Sequence, residues 1–158
     1  FLATTIISII YNNKKNAVNT TEISFTSQIR VRFVETDPMG IVWHGNYIQY
    51  FEDGREAFGR HHGISYLDQK ENGFTSPIVK SSSEHKHPLR FGEVATVKTI
   101  FIDSPAAKMV FRYEIYNEAK EVVCKGQTTQ VFLGNDDELF LHLPPFFEEW
   151  KKKVGLIK

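Results

Sequence analysis

Residues 46–61, "NYIQYFEDGREAFGRH", decide how the rest of the chain must fold. Tyr47, Ile48, Phe51, Arg55 and Phe58 recur at three- and four-residue spacing, so they share one face of a helix. Asn46 or His44 can cap its start, and Gly63 stands just past its end. Gly54 and Ala57 are small and let another backbone approach closely. The spacing predicts one long helix over 46–61, buried on most sides.

Around it the pattern has period two. "FTSQIRVRFV", residues 25–34, alternates Ile29, Val31 and Phe33 with Arg30 and Arg32 and reads as a half-buried strand. Residues 77–87 read as a strand closed by Pro88, and "GEVATVKTIFID" (92–103) as another with less regular alternation. "AKMVFRYEIYN" (107–117) sets Met109, Phe111, Tyr113 and Ile115 against Arg112 and Glu114. "NEAK" is a hairpin turn, and "EVVCKGQTTQVFL" (121–133) is the returning strand. "GISYLDQKENGF" (63–74) reads as a loop with one turn of helix, and "LPPFFEEWKKKV" (143–154) as a short amphipathic helix after two prolines. A strand, a long helix and then four strands in hairpin series predict an α+β domain, with an antiparallel sheet curved around one central helix.

The chain has 158 residues, which suits a single domain over 25–155 preceded by an extension, residues 1–24. Nineteen basic residues balance nineteen acidic ones, which excludes a nucleic-acid binder held by bulk charge. The single cysteine, Cys124, excludes an intrachain disulfide framework and fits a reducing, cytoplasmic setting. No apolar stretch approaches the roughly 20 residues that span a bilayer. "FLATTIISIIYNNKKN" (1–16) has no basic segment before its apolar run and no small-residue cleavage site after it, so it does not read as a signal peptide. Its β-branched run, Thr4–Ile10, suits a strand or an arm that docks on a partner.

The chemistry lies just before the helix, in "ETDPMGIVWHGN" (35–46). A helix N-terminus offers unbonded N–H groups and a positive dipole end, and so can hold an oxyanion. The turn at Pro38–Gly40 folds the chain back, so that Asp37 can stand close to that end. A carboxylate and an oxyanion site around one carbonyl suit acyl transfer. An Asp before Pro in a loop is otherwise a turn former bonded to its own backbone. Glu52 is the rival carboxylate, although on a helix it can simply pair with Arg55.

The run "DPMGIVWHGNY" (37–47) resembles the active-site signature of the hot-dog-fold acyl-CoA thioesterases, in particular the 4-hydroxybenzoyl-CoA thioesterase family and its bacterial acyl-CoA thioester hydrolases. Asp37, Gly40, Ile41, Val42, His44 and Tyr47 fall on the motif, and Glu52 and Arg55 follow in "YFEDGR". The resemblance implies hydrolysis of a small, medium or aromatic acyl-CoA to free acid and CoA. It makes Asp37 either the nucleophile that forms an acyl anhydride or the general base that activates water. It assigns the His44 backbone N–H to the thioester carbonyl, with the imidazole as a further group. Gly40, Ile41, Val42, Trp43, Tyr47 and Phe51 become substrate-binding residues, with Trp43, Tyr47 and Phe51 walling the acyl pocket partly against a neighbouring subunit. It implies a homodimer, often doubled to a homotetramer, with an acyl-carrier protein as a further partner it allows. No cofactor and no metal are implied, since CoA is part of the substrate. Two other readings are a hot-dog dehydratase or hydratase, whose His-and-acid spacing is not found here, and a non-catalytic acyl-CoA or acyl-carrier-protein binding module.

Other signals are weaker. His85 and His87 place two imidazoles on one strand face, lack an obvious third ligand, and read as exposed strand residues rather than metal ligands. His61 and His62 read as structural, Cys124 as core, and Trp150–Lys153 as a solvated helix end. There is no Gly-rich phosphate loop, so Lys80, Lys86 and Arg90 are the expected contacts for CoA phosphates.

Overall fold

The computed structural model describes residues 22–158. The extension and the Thr4–Ile10 strand or arm therefore lie almost wholly outside the described residues. Strand β1 (Ser24–Arg30) is followed by a 3-10 turn (Phe33–Glu35), the long helix α1 (Asn46–His62) and a short helix α2 (Tyr66–Glu71). Strands β2 (Phe74–Thr75), β3 (Ile78–His85), β4 (Val94–Ile102), β5 (Lys108–Tyr116), β6 (Val122–Val131) and β7 (Leu133–Gly134) lead to a C-terminal helix α3 (Pro145–Lys153).

Five strands form one antiparallel sheet in the order β1-β4-β5-β6-β3, and β2 pairs with β7 alone. The hairpin series holds only for β4, β5 and β6. Strand β3 joins β6 at the far edge, and the chain then crosses to the other side of the sheet to begin β4. Strand β1 is shorter than its alternation suggests. It stops at Arg30, and Phe33 turns out to solvent on the 3-10 turn.

Helix α1 rests mainly on β1 and β4. Tyr47, Tyr50, Phe51, Gly54, Arg55 and Phe58 are buried beneath it, while Ile48, Gln49, Glu52 and Asp53 face outward. The helix is thus amphipathic, with one open side, rather than buried on most sides. Gly54 sits where a Cβ would lie 2.5 Å from Thr99 Oγ1 and 2.8 Å from Val97 Cγ1, so only glycine lets the helix come this near the sheet. Phe51 stacks on Tyr113 with ring centroids 4.5 Å apart, and Phe58 meets Phe111 edge-on.

The C-terminal helix closes the core. Phe147 and Trp150 stack on each other, and both pack edge-on against Phe101. The Trp150 indole donates to the His62 carbonyl oxygen at 2.8 Å, which ties α3 to the end of α1. Each such aromatic contributes roughly 1.5–3 kcal/mol by burial. Lys151 is only 2% exposed and pairs with Asp103 at 2.6 Å, so the start of the Trp150–Lys153 run is core and not a solvated end. A buried cation needs such a partner.

Candidate active site

The loop before α1 is built by its own hydrogen bonds. Asp37 N–H donates to the Ile41 carbonyl oxygen at 2.8 Å, and Gly40 N–H to that of Asp37 at 2.9 Å. Gly40 takes φ +73°, the left-handed conformation this reversal needs. One Asp37 carboxylate oxygen, Oδ1, accepts the Met39 N–H at 2.8 Å. Asp37 is therefore a turn former, as its place before Pro38 suggests, but the turn occupies one oxygen only. Among the described residues Oδ2 has no hydrogen-bond donor.

The loop is fastened at both ends. Thr36 bridges Val42, Ile41 bridges Arg90, and Val42 N–H donates to the Leu89 carbonyl oxygen at 2.8 Å. Residues 89 and 90 lie a short way past the end of β3 at His85, so these bonds draw the segment after that strand against the loop. His85, Lys86, His87 and Pro88 consequently line the same cleft as Asp37, Met39, Ile41, Val42, His44 and Tyr47. The cleft has a volume of about 310 Å³.

Helix α1 opens onto this cleft. Gly45 occupies the cap position and supplies no side-chain bond. Asn46 does not cap; its side-chain amide donates to the Glu35 carbonyl oxygen at 2.7 Å, which also accepts the Trp43 N–H. Among the described residues the His44 and Gly45 amides have no acceptor, so the positive end of the helix carries free donors, and His44 lines the cleft with Asp37.

Glu35 holds the arrangement. It is buried, and Arg32 reaches it through its backbone N–H (2.7 Å) and guanidinium (2.7 and 2.9 Å), while the Tyr50 hydroxyl donates at 2.9 Å. Burial alone would raise the Glu35 carboxyl, but the hydrogen bonds from Arg32 and Tyr50 outweigh it and keep it below the ordinary value. Sequence reasoning passed over Glu35; the Arg32–Glu35 spacing was its one local signal.

The expected site residues separate into two groups. Asp37, Ile41, Val42, His44 and Tyr47 meet at the cleft, with Gly40 shaping the turn. Trp43 and Phe51 do not line it. Trp43 is half exposed and lies over Gly45 and His44, and Phe51 is fully buried against Tyr113. Glu52 is exposed and does not pair with Arg55. Arg55 is buried and donates to the hydroxyls of Tyr66 (3.2 Å) and Tyr113 (3.1 Å).

His85 and His87 are exposed, as their reading expects, and both also line the cleft. The His85 ring meets Tyr47 edge-on at 4.8 Å. Burial lowers the His85 pKa and the nearby His44 lowers it further, so the imidazole is neutral near pH 7. Burial pushes the Tyr47 phenol up to about 12, so it too stays neutral. Among the described residues, no group of three or more His, Cys, Asp or Glu side chains is placed to hold a metal ion. No helix among them is long and apolar enough to cross a membrane.

Residues 31–151 match the model of the thioesterase-like superfamily. The chain is 36% identical over 123 residues to a putative acyl-CoA thioesterase, YneP, of Bacillus subtilis, covering 78% of this chain and 89% of that one. It is 25% identical over 122 residues to the 4-hydroxybenzoyl-CoA thioesterase of a Pseudomonas species, covering 73% and 86%. The solved DHNA-CoA thioesterase of Staphylococcus aureus superposes with a TM-score of 0.76 at 29% identity, covering 84% of this chain and 91% of that one. The five-stranded antiparallel sheet, the long helix laid on it and these likenesses together make the chain a member of the thioesterase-like superfamily, a thioester hydrolase of the hot-dog fold.

Proposed function

We propose that the protein hydrolyses acyl-CoA thioesters whose acyl group is small or aromatic. The observation that carries this reading is that Asp37, with one carboxylate oxygen unbonded, and His44, with its amide unbonded, line one cleft. The His44 N–H holds the thioester oxygen as it gains negative charge, a contribution of about 3 kcal/mol to lowering the barrier. Asp37 supplies attack at the carbonyl carbon by one of two routes. Its free oxygen adds directly to give an anhydride that water then cleaves, or it takes a proton from a water that adds. In both, the C–S bond breaks, CoA leaves as thiolate and is protonated, and the acid is released.

The cleft volume of about 310 Å³ supports the small-acyl reading, since ligand sites start near about 300 Å³. The edge-on Tyr47–His85 pair supplies an aromatic wall. The resemblance to the 4-hydroxybenzoyl-CoA enzyme points the same way. Lys86 at the cleft and exposed Arg90 beside Ile41 are the cations nearest to hand for CoA phosphates, whereas Lys80 lies farther back on β3. No cofactor is required, and a CoA thioester substrate fits a cytoplasmic setting.

Every residue of β3 is exposed. An edge strand of this length that none of the described residues covers is a template for another strand, which supports a homodimer formed through this edge and a tetramer built from two dimers. A solution mass equal to one chain would contradict that assembly. The activity is tested by free-thiol release from acetyl-, hexanoyl-, benzoyl- and palmitoyl-CoA. Release from the short or aromatic thioesters ahead of palmitoyl-CoA is expected. Tight binding of all four without thiol release would favour the binding module and overturn the proposal.

A further inference from the structure

Arg55 carries a charge that the chain itself does not answer. It is 7% exposed and sits on the buried side of α1. Its Nε donates to the Tyr66 hydroxyl at 3.2 Å and its Nη1 to the Tyr113 hydroxyl at 3.1 Å, and the guanidinium stands 5.9 Å from the centre of the Tyr113 ring. These partners are neutral. Among the described residues no carboxylate forms an ion pair with it. Residues 1–21, outside the described part, contain no Asp or Glu. A guanidinium does not shed its proton in a protein, and a buried charge without a counter-charge is costly.

Beside the guanidinium lies a cavity of about 10 Å³, enough for one water-sized body. It shares no lining residue with the Asp37 cleft. Most polar side chains on its wall are already engaged. Ser65 Oγ donates to Asp68, and Gln69 donates to the Ile64 carbonyl oxygen and accepts from Ser76. Gln130 gives its amide group to Ser76 and keeps only an acceptor, which an anion does not use. Glu56, the one carboxylate on the wall, is half exposed and turned to Arg60 at 3.6 Å. Two donors remain. Arg55 has spent two of its five N–H bonds, and the Tyr66 hydroxyl, which accepts from Arg55, has no acceptor for its own proton among the described residues. Ile64, Met109 and Phe111 add apolar wall, where low dielectric strengthens the pull of a cation on an anion.

We propose that this cavity binds one small monovalent inorganic anion, of the class of chloride and bromide, which neutralises Arg55 and ties α1 to α2 through Tyr66. Water fills the same volume but leaves the charge unanswered. A carboxylate side chain from another subunit is too large to enter. The anion takes no part in the attack on the thioester, so the inference is independent of the thioesterase reading. An ion that binds the folded chain and not the unfolded one raises stability as its concentration rises.

The test is the melting temperature of the full chain at fixed ionic strength, with sodium gluconate exchanged stepwise for sodium chloride. The gluconate anion is too large for the cavity. Wild type is expected to melt higher as chloride replaces gluconate, and bromide should act as chloride does. Arg55→Met removes the charge, keeps apolar volume, and should abolish the difference between the salts. Tyr66→Phe removes the second donor and should raise the chloride concentration for half the effect by roughly tenfold. It carries the test with wild type if Arg55→Met does not fold. Crystals grown in bromide should show an anomalous peak within hydrogen-bond distance of Arg55. A wild type indifferent to the exchange overturns the proposal, as does a dependence unchanged in Arg55→Met or in Tyr66→Phe. Bromide missing from the cavity, or present there without any effect on melting (an adventitious ion only), overturns it too.

Discussion

The Tyr50 hydroxyl, on the second turn of α1, donates to Glu35 Oε2 at 2.9 Å, and Glu35 is buried two residues before Asp37. The Glu35 carbonyl oxygen in turn receives the Trp43 N–H and the Asn46 side-chain amide. These bonds clamp both ends of the Asp37 loop to the head of the helix. Glu35 thus helps to fix the Asp37 loop against the helix start without itself lining the cleft. Tyr50→Phe removes one donor from a buried carboxylate and leaves the ring packed. A stability loss of about 1–3 kcal/mol is expected in urea unfolding. A several-fold fall in kcat with little change in KM should accompany it, because under the proposed mechanism the clamp positions Asp37 and His44 and does not bind the acyl-CoA. A larger effect on KM than on kcat would contradict this role.

Gly54→Ala sets two effects against each other. Alanine favours the helix over glycine by about 1 kcal/mol. Its Cβ, however, would stand 2.5 Å from Thr99 Oγ1 and 2.8 Å from Val97 Cγ1. Thr99 and Val97 are fully buried in the central sheet and cannot step aside. Overpacking of this kind costs about 1–3 kcal/mol, so the clash should win. The variant is expected to unfold at lower urea concentration than wild type, and a stabilised variant would show that α1 can lift off the sheet freely.

Stability should depend on pH through His62. Its ring packs on Phe58, and Nε2 lies 3.1 Å from the Ser24 carbonyl oxygen, which ties the end of α1 to β1. Burial lowers its pKa below the ordinary 6.5, and the Ser24 carbonyl only partly offsets that. The unfolded chain therefore binds the proton more readily than the folded one. Stability is full above the ordinary value and falls as pH drops through it toward the lowered one. His85, also lowered, acts in the same direction. Denaturation at about pH 7.5 and about pH 5.5 should show the loss, and His62→Gln should reduce it. Wild type equally stable at both values would contradict the assignment.

Much of this architecture was legible in single stretches of the sequence. Helix α1 followed from the recurrence of Tyr47, Phe51, Arg55 and Phe58, and it ends at Gly63 as the spacing indicates. Strand β5 followed from the alternation of Met109, Phe111, Tyr113 and Ile115, all of which are buried. What could not be read locally was which strands pair. The β3–β6 register and the bridge between Ile41 and Arg90 join residues far apart in the chain, and no periodicity records them. That is why the exposure of His85 and His87 was legible but their place beside the Asp37 loop was not. The same holds for side chains whose type points one way and whose burial points the other. Lys151 read as part of a solvated helix end and Arg55 as a partner for Glu52, and both lie in the interior with polar partners drawn from other elements.

The account stands or falls on the free oxygen of Asp37. The most direct measurement is single-turnover release of CoA thiol from benzoyl-CoA by wild type and by Asp37→Asn, with the melting temperature of each protein recorded. The amide side chain keeps an oxygen to accept the Met39 N–H and so preserves the turn, while removing the carboxylate to which the proposed mechanism gives the attack or the proton transfer. The account predicts a folded variant whose rate falls by about a hundredfold or more. A folded Asp37→Asn protein that releases thiol at the wild-type rate would contradict it, and would return the search for the reacting carboxylate to Glu52.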